Sequence, residues 1–310
     1  MGRVAFVFPG QGSQFAGMGR DLGERFPECR EVFECADAAL GEPLSRTCFE
    51  GPEEQLRLTA NTQPAILTVS LAAFAALRAR GARFDGVAGH SLGEYSAVGA
   101  AGGLPVADLV RTVRRRGELM QAAVPVGVGA MSAVLGPERA AVEAACREAS
   151  TAGEVVVAAN FNAPEQTVIA GHAGAVARAG RLLAERGAKR VVPLPVSAPF
   201  HSPLMAPARE GLAPVLAALP FADLAVPLYS NVDAAPVTRA VEVRDGLLRQ
   251  VNAPVRWVEL VARMAADGFD TFVEVGPGNV LSGLVRRIAR SATTVQVGTA
   301  EQVEAYLRGA

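Results

Sequence analysis

The chain opens on an unbroken apolar run, Val4-Ala5-Phe6-Val7-Phe8, closed by Pro9-Gly10. Such a run predicts a strand buried on both faces, as in a parallel sheet. A helical stretch follows. Asn61 to Gly81 then predicts a long helix, with Pro64 in its first turn and Gly81 as its C-terminal stop. Phe84 to Gly89 predicts a short strand that breaks at glycine, a helix begins near Ser91, and another runs from Val106 to Ala123. Strands alternating with helices point to an α/β fold with a mostly parallel sheet.

Between Val126 and Val196 the rhythm changes. Gly129–Leu135, Val155–Asn160, Gln166–Ala170 and Arg190–Val196 predict strands, with helices over Pro137–Ala149 and Ala173–Arg186. This βαββαβ order is the ferredoxin-like, split-βαβ pattern. The larger alternation then resumes with a strand over Pro227–Asn231, a helix near Arg256–Asp267 and a strand over Thr271–Val275 before Gly276-Pro277-Gly278. The expected organisation is a large domain, 1–125 and 197–310, interrupted by a small inserted domain, 126–196.

Composition narrows the classes. The 310 residues carry Lys+Arg 30 against Asp+Glu 31, a net charge of −1, and are 50% hydrophobic. Without a basic excess to displace counterions, nucleic-acid binding is not expected. Cys29, Cys35, Cys48 and Cys146 form no CxxC pair, and with three histidines in all no zinc site is expected. The thiols read as free, in a reducing compartment. The first ten residues lack the small-residue cleavage site of a secretory signal, and no uninterrupted apolar stretch approaches the roughly 20 residues of a membrane span. The expected setting is cytoplasmic.

The candidate chemistry begins with what is missing. Gly10-Gln11-Gly12 follows a strand, but the third glycine of a dinucleotide fingerprint would fall at Phe15, whose side chain would block a pyrophosphate. Gly89-His90-Ser91-Leu92-Gly93 matches G-x-S-x-G between a predicted strand and a predicted helix, the context of a nucleophile elbow. Its flanking glycines permit a tight turn, and the helix that starts there aims free N–H groups at a developing oxyanion. The competing reading is a simple glycine-flanked helix cap.

A serine nucleophile needs a base, and the histidines are His90, His172 and His201. His90 adjoins the serine and is expected to point elsewhere. His172 reads as a solvated turn residue of the small domain. His201 follows the return from the small domain and is favoured by elimination. The only aspartate between Ser91 and His201 is Asp108, in a predicted first helical turn, so the group orienting the base is expected to be neutral, an amide or a backbone carbonyl. That departure points to an acyl transferase more than to an esterase. In the third helix, Leu109, Val110, Val113 and Met120 mark the apolar stripe; Arg115 points away from it, and Arg116 sits near its edge, only slightly nearer than Arg114. A buried arginine beside a nucleophile would need an anionic partner, which a substrate carboxylate supplies. Gln11, Ser91, Asn231 and the Gly276-Pro277-Gly278 turn all fall at predicted strand C-termini, the edge where open parallel sheets bind ligands.

Seven motifs then run in one order along the chain. They are Phe8-Pro9-Gly10-Gln11-Gly12-Ser13-Gln14, Asn61-Thr62-Gln63-Pro64-Ala65, Gly89-His90-Ser91-Leu92-Gly93-Glu94-Tyr95-Ser96, Arg116-Gly117, Asn160-Phe161-Asn162, Phe200-His201-Ser202 and Glu274-Val275-Gly276-Pro277-Gly278. Together they resemble the malonyl-CoA:acyl carrier protein transacylase family. The resemblance implies a hydrolase-like large domain with a ferredoxin-like insert, and a ping-pong transfer. Ser91, activated by His201, would take malonyl from coenzyme A, with no bound cofactor, and pass it to the phosphopantetheine thiol of holo acyl carrier protein for fatty acid synthesis. It implies an oxyanion hole at Gln11 and Leu92, Arg116 on the malonyl carboxylate, and Gln250 as the neutral partner of the histidine. Gln63, Gln166 and Phe200 fall at substrate-binding positions, and Asn279 stands where the family commonly has lysine. The implied protein is a monomer bound to neither membrane nor nucleic acid. A polyketide synthase acyltransferase and a serine esterase or thioesterase are the alternatives.

Overall fold

The computed structural model describes residues 2–196 and 198–309. In chain order it runs β1 (Arg3–Phe8), α1 (Arg20–Arg25), α2 (Pro27–Leu40), α3 (Leu44–Glu50), α4 (Glu53–Arg57), α5 (Thr59–Ala79), β2 (Gly86–Gly89), α6 (Gly93–Ala100) and α7 (Val106–Ala122). There follow β3 (Gly129–Leu135), α8 (Arg139–Ala149), β4 (Val156–Ala163), β5 (Gln166–His172), α9 (Ala173–Glu185) and β6 (Arg190–Pro193). A 3-10 turn (Pro203–Met205) leads to α10 (Ala206–Ala217), β7 (Leu228–Tyr229), β8 (Pro236–Val237), α11 (Ala240–Gln250), α12 (Trp257–Ala266), β9 (Phe269–Val275), α13 (Val280–Ile288), β10 (Thr293–Val297) and α14 (Ala300–Gly309).

The larger sheet has six strands in the order β10-β9-β1-β2-β7-β8, all parallel except the β7–β8 pair. β1 lies inside it, which explains its unbroken apolar sequence. Phe6 and Phe8 pack on the α5 side, where Phe74 meets both rings edge-on, while Ala5 and Val7 join Trp257 and Phe272 on the other. Period-2 alternation thus serves two cores at once. The second sheet has four antiparallel strands in the order β4-β5-β3-β6, the ferredoxin-like arrangement that βαββαβ predicts. The Val255 carbonyl accepts from the Phe161 N–H and the Val255 N–H donates to the Ala159 carbonyl, which ties the β4 edge to the segment before α12. Ser197, where the expected boundary between the two domains falls, lies outside the described residues, as do Met1 and Ala310.

Four departures from expectation have physical causes. α5 begins at Thr59, so Pro64 sits inside the helix; Ala60 loses the amide donor a proline cannot supply. The same helix is long and apolar enough to cross a membrane by length and composition, yet 83% of its apolar window is buried against the protein itself. β6 ends at Pro193 because Pro193 and Pro195 remove the donors a longer ladder needs. The strand expected over Pro227–Asn231 shrinks to Leu228–Tyr229, and Asn231 is released to bond with its side chain instead.

Candidate active site

The turn between β2 and α6 is held by backbone packing that only glycine permits. A Cβ on Gly89 would strike the backbone of Gly93, and one on Gly93 would strike the Phe8 carbonyl. Those contacts force the intervening Ser91 to φ +51°, a left-handed value that costs a non-glycine residue energy. Asn231, just past β7, clamps the turn. Its Oδ1 accepts the Ser91 N–H at 2.8 Å and its Nδ2 donates to the Gly89 carbonyl at 2.7 Å. With the Ser91 N–H occupied, the next amide, Leu92, is the one left free. Neither the Leu92 nor the Gln11 N–H donates to a protein acceptor among the described residues, and both residues line one cavity of about 150 Å³.

That cavity lies between the two sheets, at the C-terminal edge of the parallel one. Ser91 Oγ and His201 Nε2 are 2.7 Å apart within it. His201 Nδ1 lies 2.9 Å from the backbone carbonyl of Gln250. A carbonyl only accepts, so Nδ1 carries the proton and Nε2 is left bare to receive the serine's. Burial, and after it the charge of Arg116, pulls His201 down to about 3, so the imidazole is neutral at pH 7. No carboxylate among the described residues bonds the imidazole; Asp108 pairs with Arg111 on the outer face of α7.

Arg116 is 2% exposed and belongs to the buried stripe of α7. Gly117 brings it there, because a Cβ at that position would lie 2.7 Å from the Thr59 carbonyl and push α7 away from α5. The guanidinium donates from Nη1 to Gln63 Oε1 at 2.7 Å, and from Nη2 to Gln250 Oε1 at 2.8 Å and Ser91 Oγ at 3.3 Å. None of these partners is a carboxylate, and Nε has no partner among the described residues.

Gln63 and Phe200 also line the cavity. Gln166 does not. It opens β5, and its Oε1 accepts from Arg287 of α13 at 2.6 Å, a partner that draws the side chain to the exposed edge. His90, expected to point elsewhere, lines the cavity too, with Nε2 2.8 Å from Asn162 Oδ1; burial lowers its pKa. His172 is a half-buried strand residue rather than a solvated one, and its Nδ1 accepts from the Val155 N–H. Two roomier hollows, about 510 and 470 Å³, lie against α1–α3 and against α8 and β4, and neither contains a histidine. The chemistry sits in the smaller space.

Two residues of the site were not assigned roles by sequence reasoning, although both lie in segments it singled out. Asn231 stands at a strand end, and Glu94 is the sixth residue of the Gly89–Ser96 motif. Nothing in a one-dimensional pattern says that an asparagine 140 positions away from Ser91 will hold its amide.

Residues 5–306 match the family of the acyl transferase domain. The chain is 47% identical over 304 residues to the malonyl CoA-acyl carrier protein transacylase of Bacillus subtilis, covering 98% of this chain and 96% of that one. The structure of the malonyl CoA-acyl carrier protein transacylase from Coxiella burnetii superposes with a TM-score of 0.96 at 42% identity, covering 99% and 97%. A malonyl-transacylase solved in complex with its type II PKS acyl-carrier protein gives 0.96 at 41% identity, covering 99% and 100%. The chain is therefore an enzyme of the acyltransferase class and belongs to the malonyl CoA-acyl carrier protein transacylase family.

Proposed function

We propose that this enzyme carries malonyl groups from coenzyme A to the phosphopantetheine thiol of an acyl carrier protein through an acyl-Ser91 intermediate, for fatty acid synthesis. The observation that carries this reading is a neutral His201 2.7 Å from Ser91 Oγ, with the Arg116 guanidinium, free of any carboxylate among the described residues, 3.3 Å from the same oxygen. A base, a nucleophile and an unpaired cation in one small cavity fit an acyl group that ends in a carboxylate.

His201 Nε2 takes the Ser91 proton as Oγ attacks the thioester carbonyl. The oxyanion forms against the Gln11 and Leu92 N–H groups, each worth about 3 kcal/mol on the scale of known oxyanion donors. Collapse expels the coenzyme A thiolate, which receives the proton from His201. The carrier thiol then attacks the malonyl ester, and the same steps in reverse restore Ser91. The Gln250 carbonyl stabilises the imidazolium formed in each half, in place of a triad acid. Arg116 pairs with the malonyl carboxylate and fixes the reacting carbonyl over Ser91, with Gln63 holding the guanidinium and Phe200 closing the wall. In this reading residues 1–125 and 197–310 form the catalytic domain, residues 126–196 form the small domain that covers it, and the enzyme is a cytoplasmic monomer.

Intact and peptide mass spectrometry after brief incubation with malonyl-CoA tests the proposal. A malonyl adduct on the Ser91 peptide that passes to added holo-carrier is the expected result; an adduct lost to water equally fast with and without carrier would indicate a hydrolase.

The depressed pKa of His201 has two consequences. kcat/KM for malonyl-CoA, which reports groups of the free enzyme, shows no histidine-type fall as pH drops from 7 to 5. An acid limb centred near 6.5 would contradict the assigned electrostatics. The same residue also links pH to stability: the unfolded chain protonates it near 6.5 but the native state only near 3. Its contribution is present above 6.5 and is lost as pH falls through that window.

A further inference from the structure

Resting on the acyl-Ser91 reading above, we propose that Glu94 is a positioning residue for the transfer, whose carboxylate sets the orientation of the Gln250 amide and braces Asn231, so that one side chain keeps base and nucleophile in register. Glu94 lies in the first turn of α6, three positions beyond Ser91, and is 1% exposed. It forms no ion pair among the described residues: its Oε2 accepts from Gln250 Nε2 at 2.5 Å and its Oε1 from the Asn231 N–H at 3.1 Å.

The polarity of these bonds is what matters. Between Arg116, which only donates, and the Glu94 Oε2, which accepts, the Gln250 amide has one orientation: Oε1 to Arg116 Nη2 at 2.8 Å and NH2 to Glu94. Turned over, the amide would set its NH2 against the guanidinium, donor against donor. The second Gln250 Nε2 proton reaches the Ser91 carbonyl at 2.8 Å. With its side chain pinned at three points, Gln250 presents a fixed backbone carbonyl to His201 Nδ1. The other arm runs through Asn231, whose backbone Glu94 holds and whose side chain holds Ser91 and Gly89. The acid absent from His201 is thus present one layer behind it, acting through a glutamine. A buried carboxylate without a cation is costly as mere packing, and burial indeed pushes Glu94 up to about 7 against the pull of Gln250, Asn231 and Arg116.

The test is a cycle of E94Q, Q250A and the double variant in the full chain, assayed for malonyl transfer to holo-carrier with melting temperatures in parallel. E94Q keeps the shape but places an NH2 against one of two donors. Its kcat is expected to fall about 10-fold or more, in line with the cost of a misplaced catalytic geometry, while KM for malonyl-CoA changes less than about 2-fold. Q250A is expected to lose a similar factor although its backbone carbonyl remains, and the double variant to be little worse than Q250A alone. Wild-type kcat in E94Q, or losses that simply multiply, overturns the proposal. Should E94Q fail to melt cooperatively, Q250A decides alone: full turnover overturns the proposal, as does a loss that raises KM for malonyl-CoA through the freed Arg116, whereas an about 10-fold loss in kcat at unchanged KM and melting temperature upholds it. The Ser91 adduct of the wild type is read alongside. If it is absent, the acyl-serine reading has failed; if it is present while E94Q turns over normally, only this inference has.

Discussion

Ser91→Ala is expected to abolish the malonyl adduct and to lower transfer to the carrier by about 10⁴-fold or more, the scale on which a covalent nucleophile is lost. The variant removes only Oγ, and with it the bonds to His201 and Arg116. The forces that shape the turn remain: the glycine contacts at positions 89 and 93, and the Asn231 bond to the Ser91 amide. Alanine at φ +51° is strained much as serine is, so the melting temperature should stay close to wild type. A folded protein that is inactive separates loss of chemistry from loss of structure. Intact mass spectrometry and a carrier-loading assay give both readouts. An adduct that persists on another residue, or transfer within about 10-fold of wild type, would remove Ser91 from the mechanism.

How much of this was legible beforehand depends on whether the signal is local. The four antiparallel strands of the small sheet follow from alternating patterns and turn residues a few positions apart; each formed in its expected segment, although β4 runs on to Ala163 and β6 stops at Pro193. The elbow was legible because the two glycines that permit it stand within five residues of each other, even though one of them, Gly93, packs on the Phe8 carbonyl far off in sequence. Arg116 was ambiguous because helical periodicity alone put it at the edge of a stripe. Its burial is decided by Gly117 meeting the first turn of α5, a contact across 58 positions that no window on α7 contains. The Gln250–His201 bond is harder still, since a backbone carbonyl leaves no mark on residue choice. Gln166 shows the opposite failure: a polar residue in a familiar place was drawn outward by Arg287 of α13, a helix whose own apolar stripe of Leu281, Leu284 and Val285 does not say that it docks beside β5. β10, whose positions are mostly half-buried, carries little hydrophobic contrast to mark it as a strand.

Arg116→Ala should change the preference of the enzyme more than its competence. The guanidinium is buried, and its hydrogen-bond partners are the neutral oxygens of Gln63, Gln250 and Ser91, so no carboxylate pairs with it directly until a substrate brings one. Malonyl supplies one; acetyl does not. The loss of a charged hydrogen bond, about 1.5–3 kcal/mol, should therefore fall on malonyl transfer alone. Loss of the Gln250 and Gln63 contacts should slow both substrates together. The ratio of malonyl to acetyl kcat/KM is then expected to drop about 10- to 150-fold, whatever the common loss. A second signature comes from His201. The positive charge of Arg116 is the second cause of its depressed pKa, so removing that charge raises the imidazole toward its ordinary value. The acid limb of kcat/KM for acetyl-CoA should accordingly move to higher pH in the variant. Equal losses for the two acyl groups would take the carboxylate away from Arg116, whereas an unmoved acid limb would show that burial alone keeps His201 neutral. A changed ratio together with a shifted limb would mean that one buried cation both selects the substrate and keeps the base ready for it.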